Sequence, residues 1–186
     1  MKRYFLVHKP FMVLCQFTSE GDVKNLSELG LPEGIYPAGR LDKDSEGLIL
    51  LTDDGPLINQ LLEPKKEHPR TYHVQVDNIP NSDAIEKMKS GLLIKNYQTK
   101  PCSVNLLRER PDHAERTPPI RIRKNIPTSW LEVILTEGKN RQLRRMTAAI
   151  NHPTLRLIRT KILNLTLDMV PRPGDILEIK RSDIKL

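Results

Sequence analysis

Aromatic residues and cysteines are scarce in this sequence of 186 residues. Aromatics make up 4% of it, so there is little from which to build a platform of exposed rings that stacks on single-stranded nucleic acid. The two cysteines, Cys15 and Cys102, lie far apart and have no further Cys or His at metal-ligand spacing. This pattern argues against a zinc site and a disulfide framework. We expect both cysteines to be small core residues.

Long apolar runs are also missing. No stretch approaches the roughly 18 apolar residues that a membrane-spanning helix needs, and the segment 1–7 is too short for a signal peptide. The sequence shows no internal repeat and no low-complexity tract. We therefore expect a cytoplasmic protein without a membrane partner, and by default a monomer.

Positive charge is what the sequence has in excess. Lys and Arg number 30 against 23 Asp and Glu, which gives a formal net charge of +7. Such a balance points to a polyanionic partner, and nucleic acid is the first candidate. The length suffices for a sizeable core, and we expect one domain over residues 1–186.

A polar, acidic loop at residues 39–47 leads into a short apolar run at residues 48–52. Glycine and turn residues bound the run, which predicts a buried strand rather than a helix. The strand would hold one carboxylate, Asp42, at the edge of the core. Such a residue is typical of a lone catalytic carboxylate or of a divalent-metal cluster, and the local sequence does not separate these two.

The acids after this strand have a simpler interpretation. Asp53 and Asp54 precede Gly55 and Pro56, and Pro is favoured in the first turn of a helix. We interpret Asp53 as a turn residue and Asp54 as the cap of a helix that starts at Pro56.

The whole pattern predicts an α+β fold with a largely antiparallel sheet, because strands are many, helices are few and the two do not alternate regularly. Predicted strands cover residues 4–7, 12–15, 48–52, 71–76, 92–94, 102–106, 120–124, 130–136, 155–158 and 176–179. Predicted helices cover residues 25–29 (one turn), 56–62, 80–90 and 141–150. The second long helix is assigned a capping box of Asp83 and Glu86, and residues 108–119 are predicted to be an exposed loop.

The last predicted helix is rich in arginine. Arg141, Arg144 and Arg145 lie at spacings that place them on one face, and a solvated basic face is the ordinary interpretation of such a helix. The turn at residues 138–140 opens the helix, so backbone amides, the positive end of the dipole and Lys139 would converge there. This arrangement predicts a site for a phosphate group.

Four motifs in order carry a resemblance to a known family. They are Gly-Arg-Leu-Asp at 39–42, the Ser-x-Gly-Leu run that extends over 45–55, Thr-Tyr-x-Val at 71–74, and the Glu-Gly-Lys-Asn-Arg-Gln-Leu-Arg-Arg-Met run at 137–146. Together they resemble a pseudouridine synthase, in the branch of the bacterial ribosomal small-subunit synthase A and its large-subunit relatives. The Lys-Pro pair at 9–10 and the Tyr-Pro pair at 36–37 also match, so the resemblance covers nearly the whole chain.

The resemblance implies a fold and an activity. The fold would be the catalytic domain of that family, with the active-site cleft between the 1–60 and 70–180 portions. The activity would be isomerisation of a specific uridine to pseudouridine without a metal or cofactor. Segments 118–121 and 126–131 are most similar to one large-subunit enzyme, which implies large-subunit (23S) ribosomal RNA or a pre-ribosomal particle as the partner.

The resemblance also implies roles for single residues. Asp42 would act as nucleophile or base, Arg144 would be the partner that favours its ionised form, and Tyr72 would pack on the target base and serve proton transfer. From the residues alone, the interpretation of Tyr72 is a core ring. Arg40 would help to hold the target nucleotide out of its helix, and Leu157 would form the apolar floor under the uracil. Further RNA contacts are expected from Lys139, Asn140, Arg141 and Arg145.

Many members of the family that the sequence resembles carry a separate N-terminal RNA-binding module, and we expect this sequence to start directly in the catalytic fold. We therefore expect target choice to rest on the catalytic domain, with use of the loop 108–124. Two other classes stay open at this point. One is a metal-dependent nuclease or phosphatase that holds Mg²⁺ with Asp42, Asp44, Asp53 and Asp54, and the other is a ribosome-binding protein without catalytic activity.

Overall fold

The computed structural model describes residues 1–18, 21–121 and 125–186. The chain divides into two compact units. The first unit comprises Met1–His68 and Arg159–Leu186, and the second unit comprises Pro69–Ile158. A single catalytic domain over the whole chain stays a prediction.

The described residues form strands, three α-helices and four short 3₁₀ helices. The strands are β1 (Tyr4–Lys9), β2 (Tyr36–Pro37), β3 (Glu46–Thr52), β4 (Arg70–Asp77), β5 (Leu93–Ile94), β6 (Tyr97–Gln98), β7 (Ser103–Leu106), β8 (Thr128–Leu135), β9 (Thr154–Ile162), β10 (Leu165–Thr166) and β11 (Ile176–Ile179). The α-helices are α1 (Gly55–Leu62), α2 (Ser82–Lys89) and α3 (Gln142–Ala149). The 3₁₀ helices are Leu26–Leu29, Pro64–Lys66, Leu167–Met169 and Arg181–Asp183.

Strand β3 is the centre of the first unit. It pairs antiparallel with β1, and β1 pairs antiparallel with β11 on its other side. All seven residues of β3 are buried, and residues 48–51 have no measurable exposure. The predicted buried strand after the acidic loop is therefore confirmed, because its apolar run is covered on both faces.

Gly47 permits a close approach of two strands in the first unit. Its φ is +106°, and a Cβ at this position would overlap the backbone oxygen of Arg159 on β9 and lie 2.7 Å from its backbone nitrogen. Only glycine combines this φ with the absence of a Cβ. The close approach brings the start of β3, directly after the acidic loop, against β9.

The second unit is built on β4. The strand order is β9, β4, β8, β7, and β5 and β6 form a separate hairpin. Because strand residues alternate between faces, one face of β4 carries Tyr72, Val74 and Val76. The opposite face carries His73, Gln75 and Asp77. Paired residues of β8 lie on the same faces as their β4 partners. Val133 pairs with Tyr72 on one face, and Trp130 pairs with Gln75 on the other.

The predicted α+β fold with a largely antiparallel sheet is confirmed. Strand β1 pairs antiparallel with β3 and β11, and β8 pairs antiparallel with β4 and β7. The predicted helices at residues 56–62 and 141–150 correspond to α1 and α3. Residues 107–121 contain neither helix nor strand, as predicted for the loop at residues 108–119. Residues 120 and 121 are therefore not in the strand that was predicted at 120–124. No helix within the described part of the chain has the length and apolarity to cross a membrane.

Two local predictions are wrong. Residues 12–15 form no strand, because the amide of Met12 donates to Lys43 and that of Leu14 donates to Lys24, outside any sheet. Helix α2 is capped by Asn81, whose side chain accepts from Ala84 at 2.9 Å, rather than by Asp83. Of the strand predicted at 120–124, residues 122–124 lie outside the described residues.

The core prediction for the cysteines holds fully for Cys15, which is buried. Cys102 is half-buried, and its thiol donates to the carbonyl of Met88 at 3.3 Å. Burial, with a smaller contribution from the charge of Glu137, raises the pKa of Cys102 to about 11. The thiol is therefore protonated at neutral pH.

We expect Gly47→Ala to lower the free energy of unfolding by roughly 3 kcal/mol or more, because the new methyl group meets backbone atoms of Arg159 and adopts an unfavourable φ. Gly30→Ala is the matched control, since Gly30 has φ +72° but open space around its Cβ position. It should cost only about 1 to 2 kcal/mol. Urea unfolding of both variants measures the difference, and equal losses would disprove the close-approach explanation.

Candidate active site

Asp42 lies in the first unit, in the loop before β3, and is half-buried. Its carbonyl accepts from the amide of Ser45 at 3.0 Å, which closes a tight turn. The carbonyl of the next residue, Lys43, accepts two hydrogen bonds, from the amide of Met12 at 2.9 Å and from the ammonium of Lys9 at 3.3 Å. The backbone beside Asp42 is thus fixed from outside the loop.

Lys9 is a buried cation beneath this loop. Its side chain has no exposure, and its ammonium also donates to the carbonyls of Pro10 at 2.8 Å and Val13 at 2.7 Å. Burial lowers the pKa of Lys9 from 10.5 to about 8. Acidic side chains around it oppose this shift, namely Cys15, Glu46, Asp44 and Asp42.

Arg159 holds the other side of the loop. It is 2% exposed, its Nε donates to the carbonyl of Leu48 at 2.7 Å, and one terminal nitrogen lies 3.4 Å from the carbonyl of Gly39. Gly39 and Leu48 stand immediately at the two ends of the acidic segment. Sequence reasoning missed Lys9 and Arg159 as supports, although a lysine between a predicted strand and Pro10 and an arginine directly after Leu157 and Ile158 were signals that could have been followed.

Arg40 is exposed in the same loop. One of its terminal nitrogens donates to the side-chain oxygen of Gln16 at 3.2 Å. The guanidinium therefore lies at the surface, two residues from Asp42, which is compatible with contact to a polyanion. Gln16 was not identified from the sequence.

The other acids near this loop have structural duties. Asp53 accepts from the amide of Arg3 at 2.8 Å and from its Nε at 3.1 Å, and the backbone hydrogen bond is the main cause of the lowered pKa of Asp53. Asp54 caps α1 by accepting from Leu57 at 3.2 Å and also accepts from the phenol of Tyr4 at 2.8 Å. The turn and cap interpretations are confirmed. Among the described residues, no three His, Cys, Asp or Glu side chains are grouped to hold a metal ion.

Tyr72 lies on β4 in the second unit and is 9% exposed. Its neighbour across the ladder is Val133, so its ring belongs to the apolar face of this sheet. Leu157 lies on β9 in the same unit and is 6% exposed. Both therefore have the burial of core residues, and their contact with a base stays a prediction.

Helix α3 carries the predicted arginines. It begins at Gln142, after Arg141 at φ +50°, so Arg141 precedes the helix rather than forming its first turn. Arg144 and Arg145 are half-buried on the helix. Arg145 donates to the side-chain oxygen of Asn140 at 2.6 Å, so the structure brings these two predicted residues together.

The predicted phosphate site at the start of α3 stays a prediction, and the turn there makes contacts within the protein. The amide of Lys139 donates to the side chain of Gln142 at 2.9 Å, so this donor is already used by the helix itself. The Lys139 ammonium lies 4.6 Å from the centroid of the Tyr97 ring, a distance at which the ring attracts the cation. The turn is therefore occupied largely by its own side chains.

Glu137 is the buried anion that organises this turn. One carboxylate oxygen accepts from the Gln142 side chain at 2.6 Å and from the amide of Lys100 at 2.9 Å, and the other accepts from the phenol of Tyr97. This hydrogen bond is the largest cause of the raised pKa of Tyr97, followed by burial and by the charge of Glu137. Sequence reasoning included Glu137 in the fourth family motif but assigned it no role.

The comparison with protein families decides the identity. The model of the RNA pseudouridylate synthase family matches residues 3–149. The chain belongs to this family. The match includes the positions of Asp42, Tyr72 and Arg144, and it confirms the resemblance to pseudouridine synthases at the level of the family.

Curated RNA pseudouridylate synthases are similar over most of their length. The ribosomal large subunit pseudouridine synthase E of Xanthomonas axonopodis pv. citri is 46% identical over 88% of this chain and 87% of its own. The protein of the same name from Vibrio parahaemolyticus is 44% identical over 96% of this chain and 74% of its own. A solved pseudouridylate synthase structure aligns with a TM-score of 0.80 and 25% identity, over 98% of this chain and 72% of that one.

This RNA pseudouridylate synthase should become more stable relative to a Lys9→Met variant as the pH rises from about 8 to about 10.5. The pKa of Lys9 in the folded state lies below its unfolded value, so the unfolded chain binds more protons in this window and the free energy of unfolding rises with pH. The gain is on the order of 3 kcal/mol. Urea unfolding of both proteins at several pH values measures this gain. If the difference in their free energies of unfolding did not change with pH, the lowered pKa of Lys9 would be contradicted.

Glu137→Gln should lower the pKa of Tyr97 toward its ordinary value of 10 and cost roughly 1 to 3 kcal/mol of stability, because an anion with three hydrogen bonds is lost. Spectrophotometric titration of the tyrosines measures the pKa, and Tyr97→Phe identifies which transition belongs to Tyr97. An unchanged titration of Tyr97 in Glu137→Gln would refute the hydrogen bond as its cause.

Proposed function

We propose that this enzyme isomerises a specific uridine of large-subunit (23S) ribosomal RNA to pseudouridine, with Asp42 at the reaction centre and with no metal or cofactor. The observation that carries the proposal is the shared name of the curated relatives, which at 44% and 46% identity are large-subunit synthases E. An assignment to the branch of the small-subunit synthase A belongs to the same proposal, as do a monomeric state and a cytoplasmic location.

The reaction rearranges bonds within one nucleotide. The glycosidic bond between N1 and C1′ breaks, the uracil turns, and C5 forms a bond to C1′. The proton on C5 is released and N1 takes up a proton, so the atoms balance without oxidation, reduction or hydrolysis. The protein must therefore supply one group that acts at the ribose or base and a rigid means of holding the uracil.

Asp42 is suited to this task. A carboxylate can attack as a nucleophile or remove a proton as a base, and both routes stay open in the proposal. The support for its position is local, since Lys9 and Arg159 fix the backbone on both sides of the loop by hydrogen bonds to carbonyl groups. In the proposal Arg144 stabilises the ionised carboxylate, and Tyr72 packs on the base and transfers the proton.

Recognition requires the target nucleotide to leave its helix, which costs a few kcal/mol. In the proposal Arg40, exposed beside Asp42, holds the extruded nucleotide, and Leu157 forms the floor of the base pocket. Lys139, Asn140, Arg141 and Arg145 contact flanking phosphates, and the net charge of +7 supports such contacts.

The test is release of tritium from C5-labelled uridine in 23S ribosomal RNA, with EDTA present. The protein should release the label and Asp42→Asn should not, with a loss in rate of at least about 10²-fold, because the amide can neither attack nor accept the proton. Asp44→Asn, a neighbouring loop carboxylate, is the matched control and should retain activity. The same assay on pre-ribosomal particles covers the second substrate form.

No release from either substrate form by the parent protein would overturn the isomerase proposal in favour of a binding protein. Release that occurs without EDTA and is lost with EDTA would instead refute the absence of a metal from the proposal. Retained release by Asp42→Asn would refute the role of Asp42 and leave the rest of the proposal standing.

A further inference from the structure

A cavity of about 340 Å³ lies in the second unit, on the face of the sheet opposite to Tyr72. Its sheet wall includes Gln75 and Asp77 of β4 and Thr128 of β8. These residues share the face that alternates away from Tyr72, as the pairing of Asp77 with Thr128 shows. The cavity is therefore distinct from the surface that carries the predicted catalytic tyrosine.

Guanidinium groups dominate the cavity. Arg110, Arg116 and Arg121 of the 107–121 loop line it together with Arg156 of β9. The carboxylates of the lining are Asp77 and Glu115, so its formal charge is positive by two. A cavity of this size and charge suits an anion with several oxygen acceptors.

The arginines are held in place by the protein itself. Arg156 is 4% exposed and donates to the carbonyl of Ala114 at 2.8 Å. Arg116 donates through Nε to the carbonyl of Pro118 at 2.8 Å. These carbonyl contacts fix the positions of the two guanidiniums, each of which carries five N–H donors.

The loop that carries these arginines is anchored to the sheet. The ring of His113 contacts that of His73 on β4, with 2.8 Å between Nε2 and Nδ1, and also lies 5.9 Å from the ring of Trp130 on β8. The hydrogen bond from Arg156 to Ala114 holds the same segment from β9. The cavity is thus a built feature of the second unit rather than a gap under an unattached loop.

We propose that this cavity binds a backbone phosphate of the substrate RNA, outside the target uridine, and so contributes to the choice of target. This inference rests on the proposed function for the identity of the RNA. Along β4 the five-residue separation of Tyr72 and Asp77 amounts to about 17 Å, a distance that a few nucleotides of a single strand span. The RNA strand would pass around the end of β4, from the face of the sheet that carries Tyr72 to the face that carries Asp77.

The test compares RNA binding by three proteins in the Asp42→Asn background, so that turnover does not interfere. The Arg116→Gln/Arg121→Gln variant should bind a single-stranded fragment of 23S ribosomal RNA roughly ten-fold more weakly. The slope of log affinity against log salt should fall by roughly 0.7 for each phosphate that the variant no longer neutralises. Arg172→Gln, an exposed arginine of the first unit, removes the same kind of charge and should change neither quantity appreciably.

Glu115→Gln provides a change in the opposite direction. It removes a carboxylate from the cavity and releases Arg110 from its ion pair with Glu115, so RNA binding should become tighter. Damage to the fold would not strengthen binding. The emission of Trp130, which is the sole tryptophan and touches the loop through His113, should change on titration with the RNA fragment.

Equal weakening in the Arg116→Gln/Arg121→Gln and Arg172→Gln variants would overturn the proposal, as would an unchanged salt slope. The proposal would also be overturned if the emission of Trp130 changed with uridine monophosphate or inorganic phosphate while the arginine substitutions left RNA binding unchanged. That result would favour a site for a free nucleotide. In the active protein, KM for the rRNA fragment should rise in the double variant by more than kcat falls. These binding measurements stand even if tritium release fails, so failure of the cavity proposal and failure of the isomerase proposal are distinguishable.

Discussion

Hydrogen bonds from buried cations to backbone carbonyls hold the acidic loop of the first unit. Lys9 and Arg159 come from β1 and β9, and their charged groups donate to carbonyls of Lys43, Leu48 and Gly39. Burying a charge is costly unless it is compensated, and the reduced pKa of Lys9 records that cost.

The second unit uses the opposite sign for a comparable purpose. Its Arg-rich helix starts from a turn that is fixed by the buried carboxylate of Glu137, through Gln142 on α3 and Tyr97 on β6. Buried cations thus support the acidic loop of the first unit, and a buried carboxylate supports the start of the basic helix of the second unit. This arrangement favours the rigidity of the segment.

The sequence patterns predicted the large elements well, because strand alternation and helical spacing report directly on burial. The run before Asp53, the strand of Tyr72 and helices α1 and α3 are examples. The strand predicted at residues 12–15 was wrong because an apolar run is also found in segments whose amides donate to distant loops. The phosphate site before α3 stays a prediction. The bond from the Lys139 amide to the Gln142 side chain was not foreseen, because such a side-chain contact leaves no periodic trace. Lys9, Arg159 and Glu137 were missed for a related reason, since their partners are remote in sequence and burial of a charge is not visible in composition.

Strand β4 serves two unlike surfaces with alternate residues, an apolar one that includes Tyr72 and a polar one that includes Gln75 and Asp77. Insertion or deletion of a single residue within it would exchange the two sets of side chains. The number of residues in this strand is therefore constrained as tightly as their identity. Changes in chain length during divergence of such a protein would have to be accommodated elsewhere, in the 107–121 loop or the β5–β6 hairpin, where no alternation has to be preserved.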